Sequence, residues 1–407
     1  MKKTVLREYA KLIAKTGVNV QKGQEVFIQA ELDQPEFVAM VVDECYKLKA
    51  KKVVVDWSYQ PLTKLHVRYR SLKTLSTLDN YEEARWQHYV DTIPCRIYLI
   101  SEDPDGLRGV NQEKMARSQQ AKYPIIKGYR DQIENKYQWC IAAVPGEKWA
   151  KKLFPELRAS QAVEKLWEAI LKTSRVTDDP IQAWEEHNKD LHDRCEYLNS
   201  LHIRELRYKS SNGTDFTVGM IPEAQFCGGG ETSLQGIFFN PNIPTEECFI
   251  SPMRGVAEGI VYATKPLSYQ GQLIDGFWIR FHEGKAVEWH AEQNNELLTK
   301  LIEMDEGSRY LGECALVPFD SPINQTGFLF YNTLFDENAC CHLALGMGFA
   351  DTICDFQNKS LEDCRKLGVN DSMIHEDFMI GSADLAIDAV CEDGKTVAIF
   401  REGTWAF

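Results

Sequence analysis

Four short stretches between Glu247 and Asp377 concentrate carboxylates and imidazoles: Pro244-Thr245-Glu246-Glu247, Gly312-Glu313-Cys314, Asp336-Glu337-Asn338-Ala339-Cys340-Cys341-His342 and His375-Glu376-Asp377. Carboxylate oxygens joined by one or two imidazoles suit divalent zinc, manganese or cobalt. The acids outnumber what one ion needs. That surplus points to two ions sharing a bridging carboxylate, an arrangement that performs hydrolysis.

Each stretch is weaker alone than in company. Glu247 follows Pro241 and Pro244, which stiffen its approach; taken singly, this stretch reads better as a surface loop with a solvated acid pair. Glu313 opens the apolar run Cys314-Ala315-Leu316-Val317. An acid drawn inward there needs a partner, and a cation would serve; an exposed acid at a strand end fits equally well. Glu337 and His342 are five apart, which does not put them on one helical face. A loop-to-helix junction, with the helix opening at His342, would bring them together; the plainer alternative is a core histidine bonded to a backbone carbonyl. His375 and Asp377 are two apart, so on a strand they share a side while Glu376 faces away. A hydrogen-bonded His–Asp couple would look the same. Four such stretches in order within one domain favour the metal reading.

The elements that must position these residues fall into two textures. Residues 24–31, 51–57, 95–100 and 137–144 read as strands. They alternate with helical patterns over 35–50, 61–72 and 109–120, which predicts an α/β domain with a mainly parallel sheet and flanking helices. Helices over 159–175 and 180–198 close that domain. Beyond residue 200 the pattern turns to short strands. A hairpin is signalled by Asn212-Gly213 between 203–211 and 214–220, further strands by 276–283, 285–289, 313–319, 386–390 and 396–401, and a helix by 291–304. This predicts an α+β domain with largely antiparallel strands. The expected domains are therefore 1–200, acting as scaffold, lid or dimer contact, and 201–407, carrying the metal chemistry.

Composition narrows the partners. The chain has 407 residues, 44% hydrophobic and 26% charged, as an ordinary globular protein does. Its net charge of -14 opposes binding to nucleic acid or to an anionic membrane surface. The N-terminal residues turn charged too early for a signal peptide, and no apolar run is long enough to span a bilayer, so a cytoplasmic location is expected. The twelve cysteines include no Cys-x-x-Cys and read as free buried thiols. His66, His88, His187, His192 and His202 read as surface groups. Cys227-Gly228-Gly229-Gly230-Glu231 follows no strand–helix fingerprint, which sets aside a nucleotide loop.

Longer strings around the four stretches resemble a known family. They are Asn242-Ile243-Pro244-Thr245-Glu246-Glu247, Tyr310-Leu311-Gly312-Glu313, Asp336-Glu337-Asn338-Ala339 with Cys341-His342, and Asn370 through Gly381. The chain resembles the bacterial metalloaminopeptidases typified by aminopeptidase T and aminopeptidase S, over its full length. The resemblance implies a cytoplasmic enzyme that removes N-terminal residues from short peptides. It also implies two divalent ions (zinc, cobalt or manganese) and a two-domain homodimer with an enclosed chamber. Carried over by position, the metal ligands would be Glu247, Glu313, Glu337, His342, His375 and Asp377. Glu247 or Glu313 would handle the catalytic proton. One departure stands out: where the family has a catalytic tyrosine, this chain has Phe349. A phenyl ring cannot donate to a developing oxyanion, which raises the alternative of a catalytically weakened peptide- or metal-binding relative; a further alternative, from another class, is a two-metal phosphoesterase, since carboxylate-rich sites also do that chemistry. The phosphoesterase has only Arg254 and Arg309 nearby as basic candidates.

Overall fold

The computed structural model describes all 407 residues. Strand β1 (Glu25–Glu31) is buried at every position except Gln29. An almost wholly buried strand belongs in the middle of a sheet covered on both faces. There it lies, parallel to β2 (Lys52–Ser58) on one side and to β3 (Cys95–Ile100) on the other, with β4 (Trp139–Ala143) beyond β3. Helices Pro35–Lys47 and Asn80–Thr92 are among the connections. The predicted helix over 109–120 is the start of a longer one, Gln112–Ile133, which continues through Pro124.

The chain separates into two compact units, Met1–His187 with Gly230–Thr245, and Asn188–Gly229 with Glu246–Phe407. The expected single boundary near residue 200 differs in two respects. The change of unit falls inside the long helix Pro180–Ser200, which local sequence shows as one element. Residues 230–245 also return to the first unit, because Asn242–Ile243 adds a fifth strand parallel to β4. Nothing local marks that two-residue strand.

The second unit is α+β with antiparallel strands, as its sequence predicts. Strands β5 (Ile203–Lys209) and β6 (Asp215–Met220) form the expected hairpin, with Gly213 at φ +105° supplying the turn. They belong to a nine-stranded sheet. A second sheet of five strands runs in the order His375–Met379, His342–Gly346, Leu311–Leu316, Cys248–Ile250, Cys227–Gly228. Leu206, Tyr208, Phe216 and Phe281 from the large sheet share one core with Cys314, Leu316, Leu343, Leu345 and Phe378 from the small one. The predicted helix over 291–304 is shorter, Asn295–Ile302, because the strand Lys285–Gln293 takes its first residues. No helix is long and apolar enough to cross a membrane.

Candidate metal centre

Strand periodicity builds the site. Side chains on a strand alternate between faces. In the small sheet Cys314, Leu316, Leu343, Leu345 and Phe378 point into the core. Glu313, His342, His375 and Asp377 occupy the intervening positions and so share the opposite face. Glu313 and Asp377 both pair with Ala344 on the strand between them. That methyl group is the only side chain separating the two carboxylates in their row, and its small size leaves room above it.

Leu311 breaks the alternation, since it lies in the core two residues before Glu313. A register shift between Leu311 and Glu313 accounts for it. Such an irregularity resets the pleat and re-aims the next side chain. Gly312 permits it: a Cβ there would lie 2.1 Å from the Met347 carbonyl oxygen and 2.5 Å from that of Gly346.

The side chains converge. His342 Nε2 lies 3.3 Å from Glu247 Oε2 and 3.9 Å from Asp377 Oδ1. His375 Nε2 lies 3.0 Å from Glu313 Oε2 and 3.3 Å from Asp377 Oδ1. Two triads of ligand atoms result, Glu247–Glu313–His342 and Glu313–His375–Asp377, each with its atoms within 4.8 Å of one another. Glu313 belongs to both. Glu337 is in neither, yet it is buried close enough to be affected by Asp377, Glu247 and Glu313.

The ring orientations are fixed from behind. His375 Nδ1 donates to the Met347 carbonyl at 2.7 Å, and His342 Nδ1 to that of Cys340 at 3.4 Å. A carbonyl can only accept, so each Nδ1 carries a proton and each Nε2 is turned toward the carboxylate cluster, where its lone pair becomes available once its own proton leaves. This is how metal-ligating histidines are usually held. Asn338, with no exposed surface, ties two stretches together. Its Oδ1 accepts from the Glu246 amide at 2.7 Å, and its Nδ2 donates to Leu334 O at 3.0 Å and Glu337 Oε1 at 3.3 Å.

Electrostatics show what the cluster lacks. Burial, followed by repulsion from Asp377 and Glu247, pushes Glu313 up to about 7 despite its bond to His375. Burial raises Glu337 well above the carboxylate range, and Asp377, Glu247 and Glu313 raise it further. For His342 burial works against the charged ring, but Glu247 and Asp377 outweigh it and push it up to about 9. His375 is raised in the same way by Asp377 and Glu313. Without a cation the site must hold protons to offset its own charge. Asp377 Oδ1 is buried and accepts no hydrogen bond, although both Nε2 atoms are within 4 Å. A buried carboxylate oxygen left unbonded among further carboxylates and two imidazole Nε2 atoms fits a divalent ion that would displace the imidazole protons. Cys341 bonds back to Val317 O at 3.3 Å and supplies no ligand.

The structure thus brings together Glu247, Glu313, His342, His375 and Asp377, with Glu337 alongside. Phe349 stands at the edge of the cluster, its ring 4.7 Å from that of His375 and 5.6 Å from that of Phe249. Two expectations are corrected. His342 opens a strand, not a helix, because the strands Leu311–Leu316 and His375–Met379 pair with it on both sides. His187 is buried and bonds the Thr245 carbonyl at 2.8 Å. The arginines offered for a phosphoesterase are engaged elsewhere: Arg309 pairs with Glu303 at 2.7 Å and Arg254 stacks on Tyr310. Sequence reasoning missed Asn338, Ala344 and the Met347 carbonyl. The Asn beside Glu337 was the one signal available.

A sequence model of the thermophilic metalloprotease family M29 matches residues 2–405. The chain belongs to the M29 family. Among its relatives is aminopeptidase AmpS of Bacillus subtilis, 40% identical over 404 residues that cover 99% of this chain and 98% of the relative. Aminopeptidase T of Thermus aquaticus is 36% identical over 408 residues, 98% of each chain. The solved structure of wild-type AmpT from Thermus thermophilus superposes with a TM-score of 0.89 at 35% identity, covering 100% of both chains. M29 membership makes this chain a metalloprotease, and its buried donor set suits the divalent metal that the family name implies.

Proposed function

We propose that this M29 protein removes N-terminal residues from short peptides by hydrolysis at a dinuclear metal centre. The observation that carries the second ion is Glu313, whose carboxylate belongs to both triads. Glu247, Glu313 and His342 would hold one ion, and Glu313, His375 and Asp377 the other, with Glu337 completing the set. Oxygen donors with two imidazoles and no thiolate suit zinc, cobalt or manganese. Such ions supply Lewis acidity, making water acidic near neutral pH and polarising the scissile carbonyl.

The chain's own residues do the rest. Proton transfer from water to the leaving amine falls to Glu247 or Glu313. Glu247 serves one triad only and so keeps more of its lone pairs for that task. Four carboxylates would balance two dications, so the filled centre does not repel the ammonium group of a peptide. Phe349 offers a flat apolar wall beside His375 where a phenol would offer a donor, and turnover is slower for it. A cytoplasmic homodimer, implied by the family, belongs to the same reading and is checked by light scattering of the native protein.

The test begins with dialysis against a strong chelator. Cleavage of leucine p-nitroanilide should be lost and should return with cobalt or zinc, with two ions per chain measured by mass spectrometry at full activity. Full activity without metal overturns the mechanism; full activity at one ion per chain overturns the dinuclear centre alone.

A further inference from the structure

The first unit contains a polar site that peptide hydrolysis does not use. The register of its parallel sheet sets Phe27 beside Arg96 and Gln29 beside both Tyr98 and Asp56, all on one face. The helix Asn80–Thr92 brings Arg85, Trp86 and Tyr89 over that face. Between sheet and helix lies a cavity of about 650 Å3, the size of a small-molecule site. It is lined by residues of β1 and β3, the strands between which the order of this sheet reverses.

Arg96 dominates the cavity. Its guanidinium carbon lies 4.2 Å from the ring centre of Tyr89, 4.7 Å from that of Tyr137 and 5.5 Å from that of Trp86. Its Nε and Nη2 are shut off from solvent and have no hydrogen-bond partner. No acid forms an ion pair with it. The two carboxylates of the cavity are engaged: Asp56 pairs with Arg85, and Glu82 bonds the Asp79 amide at 2.8 Å and lies 3.8 Å from Lys122. A guanidinium does not shed its proton at any physiological pH. Aromatic faces offset part of the desolvation of such a charge, yet its donors remain without acceptors.

We propose that this cavity binds a small organic monoanion, a carboxylate on an apolar body, with the carboxylate facing the Arg96 charge and the body along Phe27 and Tyr98. One uncompensated positive charge calls for one negative charge, and Asp56 and Glu82 oppose a dianion such as phosphate. The site stands independently of the metal centre and of how many ions that centre holds. Two sources share this chemistry: a plain aliphatic or aryl carboxylate, and a free amino acid, whose ammonium group would face Asp56 or Gln29.

The test is calorimetric titration of the metal-loaded protein with 3-phenylpropionate, 3-phenylpropan-1-ol and L-phenylalanine. The acid should bind at least about tenfold more tightly than the alcohol. Arg96→Gln should abolish that preference. Gln29→Glu, a nearly isosteric change at an exposed position, should do the same by placing a carboxylate beside Arg96, and should raise the melting temperature of the ligand-free protein. It decides the matter if Arg96→Gln fails to fold. Both variants should keep the peptide-hydrolysing activity. Tighter binding of phenylalanine than of phenylpropionate identifies the amino acid as the source; weaker binding identifies the plain carboxylate. No binding, equal binding of acid and alcohol, or a preference that survives Gln29→Glu overturns the proposal.

Discussion

Replacing Asn338 with leucine tests whether this buried amide positions the proposed metal ligands on either side of it. The side chains are similar in size, so the change deletes hydrogen bonds without opening a large cavity. The buried Glu246 amide loses its acceptor at 2.7 Å, and Leu334 O loses a donor at 3.0 Å. An orphaned buried amide costs about 1–3 kcal/mol and the carbonyl about 1 kcal/mol more, giving a destabilisation of roughly 2–4 kcal/mol. For a unit of roughly 200 residues this is a fall in melting temperature of about 4–16 °C. Glu247 directly follows Glu246, and Glu337 loses its bond from Asn338 Nδ2, so two proposed ligands loosen together. Metal affinity should fall about 10- to 100-fold, as it does when groups orienting ligands are removed. Thermal melts of chelated protein read the first effect, and titration of zinc against a competing chelator reads the second. A variant with wild-type metal affinity, whatever its stability, would refute the claim that Asn338 positions ligands.

Glu313→Gln should act with opposite signs in the two metal states. The loaded protein should hold at most one ion and lose activity by about a hundredfold or more. The chelated protein should melt higher than wild type at pH 8. The raised Glu313 value of about 7 means that ion-free wild type loses stability as pH climbs from the ordinary carboxylate value to about 7. The advantage of the variant should therefore vanish below about pH 4.5; an equal advantage at every pH would contradict the repulsion. Metal uptake should release protons, because Glu313, Glu337 and both imidazoles hold them in the ion-free site, and zinc affinity should weaken roughly tenfold per pH unit for each proton displaced as pH falls. Calorimetry in buffers of different ionisation enthalpy counts those protons, and a count of zero would be decisive against the scheme. Phe349→Tyr should raise kcat by about tenfold or more with little change in KM; an unchanged kcat would show that no donor is missing there. Gly312→Ala should displace Glu313, because the added methyl meets two carbonyl oxygens, and metal content should fall; crystals of the variant with Glu313 unmoved would disprove it.

Much of the candidate centre was legible in the sequence because its chemistry is carried by residue type and by a period of two. His375 and Asp377 fall on a strand and share a face, with Glu376 turned away, as their spacing requires. The β5–β6 hairpin follows from Asn212-Gly213, since few other dipeptides make that turn. The local reading failed wherever pairing over long sequence distance decided the outcome. His342-Leu343-Ala344-Leu345 has good helical propensity, but two neighbouring strands claim it. Residues 242–243 join β4 from about a hundred positions away. His187 looked like a surface group because its partner, the Thr245 carbonyl, lies in another part of the chain. Phe349 could be singled out but not placed until its ring was seen against that of His375.

Four of the six proposed ion-binding groups, Glu313, His342, His375 and Asp377, alternate with the oily interior along the same three strands. Threading those strands correctly therefore sets those four groups in place at the same moment as the fold. An inserted or deleted residue in the strand His342–Gly346 would turn leucines toward the carboxylate cluster and a histidine toward the interior. Such a lesion should be felt as misfolding before it is ever felt as lost turnover, and evolutionary tinkering with reactivity here is confined to substitutions that leave strand length alone.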